Sequence, residues 1–114
     1  MPYIGTRVSV KLTADKEKEI KAKLGKAIEL CPGKTERWLM TEFTDECRIW
    51  FGGDNSAPSA FVEVKVLGGE DKNAFTKMTG AICDILKDSL GISPDRVYVT
   101  YQGFANWGWN GSNF

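Results

Sequence analysis

The chain has 114 residues, with 15 basic and 15 acidic side chains that give a formal net charge of zero, and it contains no histidine. A chain of this length predicts a single domain, which we place at residues 1–114. The balanced charge argues against a nucleic-acid partner, and the missing histidine excludes a Ser-His-Asp triad and most zinc sites, so we expect neither metal nor cofactor.

The first half of the chain predicts a strand, a helix and two further strands. Apolar and polar residues alternate over 3–10, which is typical of a strand with one buried face. Thr13 then caps a helix over 14–31, where apolar residues recur at three- and four-residue spacing. The segments "RWLMTEF" (37–43) and "CRIWFGG" (47–53) are predicted to be strands.

The second half repeats this order. "SAFVEVKVLGG" (59–69) alternates valine with charged residues and predicts a strand, 73–90 predicts an amphipathic helix, and "VYVTYQG" (97–103) predicts the last full strand. "TERWLMT" (35–41) and "PDRVYVT" (94–100) share an acid-Arg pair and a terminal threonine. The two halves therefore indicate a duplicated strand-helix-strand unit.

Two such units predict an α/β fold in which two helices cover one face of a four-stranded mixed sheet, with short extra strands. The opposite face stays uncovered. We expect Trp38, Phe61 and Tyr98 on that face. Exposed aromatic residues on an uncovered sheet predict self-association.

The tail "FANWGWNGSNF" (104–114) places large aromatic residues among glycines and asparagines. One interpretation is a strap packed on its own domain. The other is an aromatic lining for a pocket or a subunit interface. The two interpretations are compatible.

Pro2 also has two interpretations. It is either a proline tolerated at the first residue of a strand, or, once Met1 is removed, a free secondary amine that serves as a base or nucleophile. The pattern of the surrounding residues does not decide between them.

The three cysteines, Cys31, Cys47 and Cys83, are odd in number and lack CxxC spacing. They predict neither a disulfide framework nor a redox motif, and we interpret them as buried thiols. The first residues contain no apolar signal-peptide core, and no run of eighteen apolar residues occurs. We therefore expect a cytoplasmic protein with no membrane partner.

Six short motifs occur in order along the whole chain: Pro2 opening a strand, "GK" (33–34), "FGG" (51–53), "GG" (68–69), "ISPDRVY" (92–98) and "WGWNGSNF" (107–114). Together they resemble the macrophage migration inhibitory factor family of the tautomerase superfamily. The resemblance implies a homotrimer with a keto-enol tautomerase site at each subunit interface. It also implies that the mature protein starts at Pro2.

The resemblance implies roles for individual residues. Pro2 matches the catalytic base, Lys34 the carboxylate-binding lysine, and Tyr98 a tyrosine that enters the site from a neighbouring subunit. Val64 is matched to an isoleucine whose backbone N–H helps to hold the carboxylate. The other matched positions are the pocket residues Tyr3, Trp38, Trp107 and Phe114, together with Thr100, where animal members have asparagine.

Without the resemblance, Lys34 is an exposed lysine after a turn and Tyr98 a strand residue at an interface. With it, the chemistry is that of an isomerase without histidine. An α-amino group has an ordinary pKa of about 7.7 to 8.0, and an apolar site beside a lysine lowers it. The neutral amine then moves a proton between carbon and oxygen of a phenylpyruvate-like 2-keto acid.

The alternative implied by the resemblance is a cytokine-like signalling or host-interaction protein with a vestigial pocket. That role needs a receptor partner and export by a route without a signal peptide. Departures at Ser59 and Val62, where animal members have a cysteine pair, remove the case for thiol-disulfide chemistry.

Overall fold

A four-stranded sheet is the framework of the domain in the computed structural model, which describes residues 1–114. The strands are β1 (Pro2–Val8), β2 (Met40–Thr44), β3 (Ala60–Leu67) and β4 (Val97–Phe104), in the spatial order β2-β1-β3-β4. The β1–β2 and β3–β4 pairs are parallel and the β1–β3 pair is antiparallel. The mixed sheet built from two repeated units is therefore confirmed.

One helix joins the strands of each parallel pair: α1 (Ala14–Ala27) lies between β1 and β2 in the chain, and α2 (Lys72–Leu90) lies between β3 and β4. The side chain of Thr13 accepts a backbone N–H of the first turn of α1, as predicted, and Asp71 does the same for α2. Gly91 ends α2 in the left-handed conformation, with φ of 68°, which glycine adopts without strain. The predicted helix over 14–31 is shorter than expected because its end tightens into a 3₁₀ turn.

The core lies between the sheet and the two helices. Alternate residues of β3 are buried because a strand presents successive side chains to opposite faces. Each fully buried branched or long apolar side chain stabilises the fold by about 1.5 to 3 kcal/mol. The largest fully buried side chains of the strands and helices include Ile4, Val8, Val62, Val64, Ile20, Leu24, Met78, Ile82 and Leu86.

The two sequence repeats adopt the same local structure. A 3₁₀ helix (Glu36–Trp38) precedes β2, and another (Pro94–Arg96) precedes β4. The strand predicted over 37–43 was therefore wrong at its start, because the backbone turns through Trp38 before it extends at Met40. Trp38 consequently lies beside the sheet end and not on the uncovered face.

The segment "CRIWFGG" (47–53) was wrongly predicted to be a strand. Its only strand-like pairing is an isolated bridge between Phe51 and Asp54. Glu46 has φ of 53°, which bends the chain after β2, and within the segment only Cys47 contacts β1, through its backbone N–H, which donates to the Val8 carbonyl (3.0 Å). A segment with alternating apolar residues becomes a β-strand only where another strand is available to pair with it.

The tail forms a short hairpin, β5 (Gly108–Trp109) paired with β6 (Ser112–Asn113). Its turn residues, Asn110 and Gly111, both have positive φ, of 51° and 86°. Positive φ at both turn positions is the requirement of a type I′ turn, and Asn-Gly is its preferred sequence. The hairpin fixes the aromatic residues of the tail relative to the sheet.

The three cysteines are free. Cys31 is buried as predicted, whereas Cys47 and Cys83 are half-buried. Burial raises the pKa of the Cys31 and Cys83 thiols. Neither helix is long and apolar enough to cross a membrane.

Arg96 ties β4 to the irregular segment before β3. Its guanidinium donates to Asp54 O (2.8 Å), to Pro58 O (3.1 Å) and to the buried Ser59 Oγ (3.0 Å). The Arg96 Cζ also lies 5.6 Å from the centroid of the Phe51 ring. One side chain therefore holds a loop that has no regular secondary structure.

Replacing Arg96 with alanine should lower the free energy of unfolding by about 2 kcal/mol or more, because it leaves the buried Ser59 hydroxyl and a carbonyl without their charged donor. Denaturant unfolding at one fixed protein concentration measures this. The control is Lys16→Ala, which removes an exposed ion pair to Glu19 (3.6 Å) and should change stability by less than about 0.5 kcal/mol. Equal losses for the two variants would show that Arg96 does not hold the loop.

Candidate active site

A cavity of about 920 Å³ lies at the end of the sheet where β1 begins. It is bounded by the first residues of β1, by the 3₁₀ turn before β2, by Lys65 of β3 and by the tail hairpin. This volume falls within the range of about 300 to 1,000 Å³ that is usual for small-molecule sites. Among the predicted site residues, Pro2, Tyr3, Trp38 and Trp107 line it.

Pro2 lies in this cavity beneath Met1. It pairs with Val66 in the antiparallel β1–β3 ladder and is less than 2% exposed with Met1 attached. The Met1 carbonyl accepts a hydrogen bond from the Leu67 backbone N–H (3.0 Å) and so continues the ladder past Pro2. Loss of Met1 would therefore open the nitrogen of Pro2 to the cavity.

Lys34 lies next to the N-terminal amine without lining the cavity wall itself. Its Nζ donates to the Leu67 carbonyl (2.9 Å) at the end of β3. Burial, and then the positive charge of Lys34 and a hydrogen bond with it, lower the pKa of the Met1 amine below its ordinary value. An amine at this position is therefore more often neutral than an amine in water.

Aromatic rings form one wall of the cavity. The Trp38 and Trp109 rings meet edge to face with centroids 5.2 Å apart, and Phe104 and Trp107 are 6.1 Å apart. Phe114 does not line the cavity but stacks on Trp109 at 6.4 Å. The tail is thus both a strap on its own domain and a lining of the cavity, so its two interpretations describe one arrangement.

Tyr3 extends from β1 towards the uncovered face of the sheet. Its hydroxyl donates to Glu42 Oε1 (2.5 Å). This hydrogen bond, followed by burial and by the nearby negative charge, raises the pKa of Tyr3. The Tyr3 ring is thereby held in one position beside Pro2.

Tyr98 and Thr100 do not join the other predicted residues within one chain. Pro2 of β1 is opposite Val66 of β3, and Val66 is opposite Gly103 of β4. Gly103 is five positions along β4 from Tyr98. At about 3.3 Å per residue, Tyr98 is displaced from the level of Pro2 by about 17 Å along the strand direction. Tyr98 is 61% exposed at the far end, where its ring lies 5.1 Å from that of Phe51.

Val64 is also away from the cavity. Its side chain is 1% exposed in the core, and it pairs with Ile4 in the middle of the sheet. The backbone N–H that lies beside Met1 and Lys34 is that of Leu67. The sequence match missed Leu67, which lies three residues further along β3.

Two cationic residues that line the cavity, Arg37 and Lys65, were not predicted from the sequence. Arg37 belongs to the 3₁₀ turn that was predicted to be a strand. Lys65 was interpreted only as the polar side of an alternating strand. Its position directly opposite Tyr3 follows from the strand register, which the sequence alone does not contain.

Two βαβ units in one mixed sheet, with an aromatic cavity around a proline at the start of the first strand, define the fold of the tautomerase superfamily. The family model described as "Macrophage migration inhibitory factor (MIF)" matches residues 1–114. The chain belongs to this family.

Known relatives agree with this membership. The chain is 34% identical to macrophage migration inhibitory factor of Mus musculus over 86 residues, which is 72% of each chain, and 32% identical to that of Xenopus laevis over 96 residues, which is 80% of each. Among solved structures, it is similar to MIF2 of Leishmania major, with a TM-score of 0.92 and 36% identity over 100% of this chain and 97% of that one. A macrophage migration inhibitory factor-like protein of Entamoeba histolytica gives a TM-score of 0.85 at 26% identity, over 99% and 98% of the two chains.

The contact between Lys34 and the amine can be measured without any substrate. Lys34→Met should raise the pKa of the Met1 amine, since it removes a neighbouring positive charge, but leave it below the ordinary value of about 8, because burial remains the larger cause. An NMR titration of protein that retains Met1 measures this pKa. Lys77→Met, on the exposed side of α2, should leave it unchanged; a rise of equal size in both variants would contradict the contact.

Proposed function

We propose that the protein is a keto-enol tautomerase for phenylpyruvate-like aromatic 2-keto acids, with the Pro2 amine as its general base after Met1 is removed. One observation carries this proposal. Pro2 is held by strand pairing in an aromatic cavity, where burial and Lys34 lower the pKa of an N-terminal amine.

The reaction needs a neutral base and an oriented C–H bond. The Pro2 nitrogen takes a proton from the carbon next to the ketone, and the electrons of that C–H bond form the carbon-carbon double bond. The protonated Pro2 nitrogen then returns the proton to the former carbonyl oxygen, which gives the enol and restores the neutral base. The reverse reaction uses the same groups. Holding the reacting atoms in this geometry lowers the barrier to proton transfer, because base and substrate no longer have to meet in solution.

The substrate carboxylate is oriented by Lys34 and Leu67. Removal of Met1 takes away the acceptor of the Leu67 N–H, which then points at the space beside Pro2. The Lys34 ammonium lies at the carbonyl of the same residue. A carboxylate that accepts from both makes charge-assisted hydrogen bonds, while the tryptophan rings receive the aromatic ring of the substrate.

The site is completed by a neighbouring subunit in a homotrimer. Tyr98 is exposed, is about 17 Å from Pro2 along the sheet of its own chain, and lies on the uncovered face. Membership of the family supports insertion of Tyr98 and Thr100 into the next subunit's cavity. Thr100 then lies where a side chain tunes the choice of substrate.

A second candidate is an interaction role. The relatives of Mus musculus and Xenopus laevis are named macrophage migration inhibitory factors, and this chain shares about a third of their residues over the matched region. As a cytokine-like protein, this chain would bind a receptor and leave the cell without a signal peptide. The activity measurements below distinguish the two candidates, because a trimmed protein that turns over no 2-keto acid leaves only the interaction role.

Activity should depend on the loss of Met1. Protein that starts at Pro2 should convert phenylpyruvate, and its kcat/KM should fall as the pH drops below about 7, because protonation of the amine removes the base. Protein that retains Met1 should fold normally but have little activity, since its Pro2 nitrogen is an amide. Mass spectrometry of the assayed protein identifies the form present.

Two variants refine this test. Pro2→Ala keeps a primary amine in the same place and should retain part of the activity, whereas Pro2→Gly adds backbone freedom and should retain less. Full activity from protein that is entirely Met1-intact would falsify the amine mechanism, and Pro2 would then be an ordinary first residue of a strand.

If each active site is built from residues of two subunits, two inactive variants should restore activity when they are mixed in one trimer. Trimers of Pro2→Gly and trimers of Tyr98→Ala should each have low activity. Co-refolded mixtures should recover activity at about one quarter of their sites, where a native Pro2 meets a native Tyr98 from the next subunit. Light scattering after size-exclusion chromatography checks the trimer. A monomer at micromolar concentration, or mixtures no more active than their parents, would contradict the shared site.

A further inference from the structure

The cavity around Pro2 contains more positive charge than one carboxylate requires. Arg37 and Lys65 both line it, Lys34 lies at its edge, and no aspartate or glutamate lines it. The chain as a whole carries no net charge. The positive charge is therefore a local feature of this cavity.

Lys65 has no carboxylate partner within its own chain. None of the four ion pairs involves it, and its Nζ lies 5.6 Å from the centroid of the Tyr3 ring. The ring face attracts the ammonium but does not neutralise it. The ammonium of Lys65 therefore lies at the cavity wall without an ion-pair partner.

The acidic residues nearest to Lys65 along the sheet already have partners. Glu42 accepts a hydrogen bond from the hydroxyl of Tyr3 (2.5 Å). Glu63, two positions along β3 from Lys65, pairs with Arg7 (3.4 Å). Since neither of them forms an ion pair with Lys65, an anion from outside the chain can bind its ammonium.

Lys34 and Lys65 approach Pro2 from different directions. Lys34 donates to the carbonyl of Leu67 at the end of β3. Lys65 lies two positions earlier, directly opposite Tyr3, and its side chain points to the uncovered face, because Val64 and Val66 on either side of it are buried. A single carboxylate held by Lys34 therefore leaves Lys65 free for another anion.

We propose that the preferred substrate carries a second anionic group, a carboxylate on its aromatic ring, and that Lys65 is the residue that recognises it. This inference rests on the proposed function for the identity of the base and for the site of the first carboxylate. The Tyr3 ring supports the aliphatic stem of Lys65 and limits the directions in which the ammonium can point. The ring of the substrate then lies between the two cations, against the tryptophan wall.

The test compares three substrates with protein that starts at Pro2. They are phenylpyruvate, its 4-carboxy derivative and its 4-carbamoyl derivative, which has a similar shape but no charge. The unmodified chain should have a kcat/KM about tenfold higher for the 4-carboxy than for the 4-carbamoyl compound, as expected for a charge-assisted contact. Lys65→Met should remove this preference, and Lys65→Arg should keep most of it.

Lys77→Met is the matched control. It removes the same charge from the exposed side of α2 and should preserve the tenfold preference. Three results would overturn the proposal: no preference in the unmodified chain, an unchanged preference in Lys65→Met, or an equal loss for phenylpyruvate and the 4-carboxy compound. The second result would indicate that a carboxylate of a neighbouring subunit neutralises Lys65, and the third that Lys65 binds the first carboxylate.

Binding separates this proposal from the proposed function. Quenching of tryptophan fluorescence should show that benzene-1,4-dicarboxylate binds more tightly than benzoate, and that Lys65→Met removes the difference. If no 2-keto acid is turned over but this difference is found, the tautomerase proposal fails and the second anion site stands. If 2-keto acids are turned over but neither binding nor turnover favours a second anion, the tautomerase proposal stands and the role of Lys65 fails.

Discussion

The antiparallel register of β1 against β3 is the constraint on which the rest of the structure depends. It places Pro2 opposite Val66 and lets the Met1 carbonyl bond to Leu67. Because β4 runs parallel to β3, the same register puts Tyr98 at the other end of the sheet. A shift of one residue would turn every side chain of β1 to the opposite face and bury Tyr3 in place of Ile4.

Charge is separated within a chain that is neutral overall. Of the carboxylates near the cavity, Glu42 accepts a hydrogen bond from Tyr3 and Glu63 forms an ion pair with Arg7. Lys34 and Lys65 have no carboxylate partner. Burial and Lys34 lower the pKa of the N-terminal amine, and the positive charge of both lysines attracts an anionic ligand. In the proposed reaction, the same arrangement would both keep the base neutral and bind the molecule from which the base removes a proton.

The sequence predicted the parts of the fold that depend on local pattern. The helix cap at Thr13 and the apolar periodicity of α2 are local signals, and the structure has the capped helix and the amphipathic helix that they predict. "CRIWFGG" failed because its alternation does not specify a partner strand. Pro2, Tyr3, Trp38 and Trp107 were found by family resemblance, whereas Lys65 and Leu67 follow from register, which only the folded chain contains. The Asn110–Gly111 dipeptide was a local signal for the tail hairpin and was overlooked.

Proline at the start of β1 also connects folding to binding. A chain proline has no N–H, but β1 loses no hydrogen bond to β3 at this position, because the neighbouring pair, Met1 and Leu67, is the one that is hydrogen-bonded. Removal of Met1, in contrast, leaves the Leu67 N–H without its acceptor, while Lys34 still holds the carbonyl of the same residue. A buried donor without an acceptor costs about 1 to 3 kcal/mol, so a ligand that excludes water from this position must itself accept from the Leu67 N–H. In the proposed reaction, a bound carboxylate would accept from this N–H, so substrate binding would replace the hydrogen bond that removal of Met1 takes away, and the group that orients the substrate would also complete the end of the sheet.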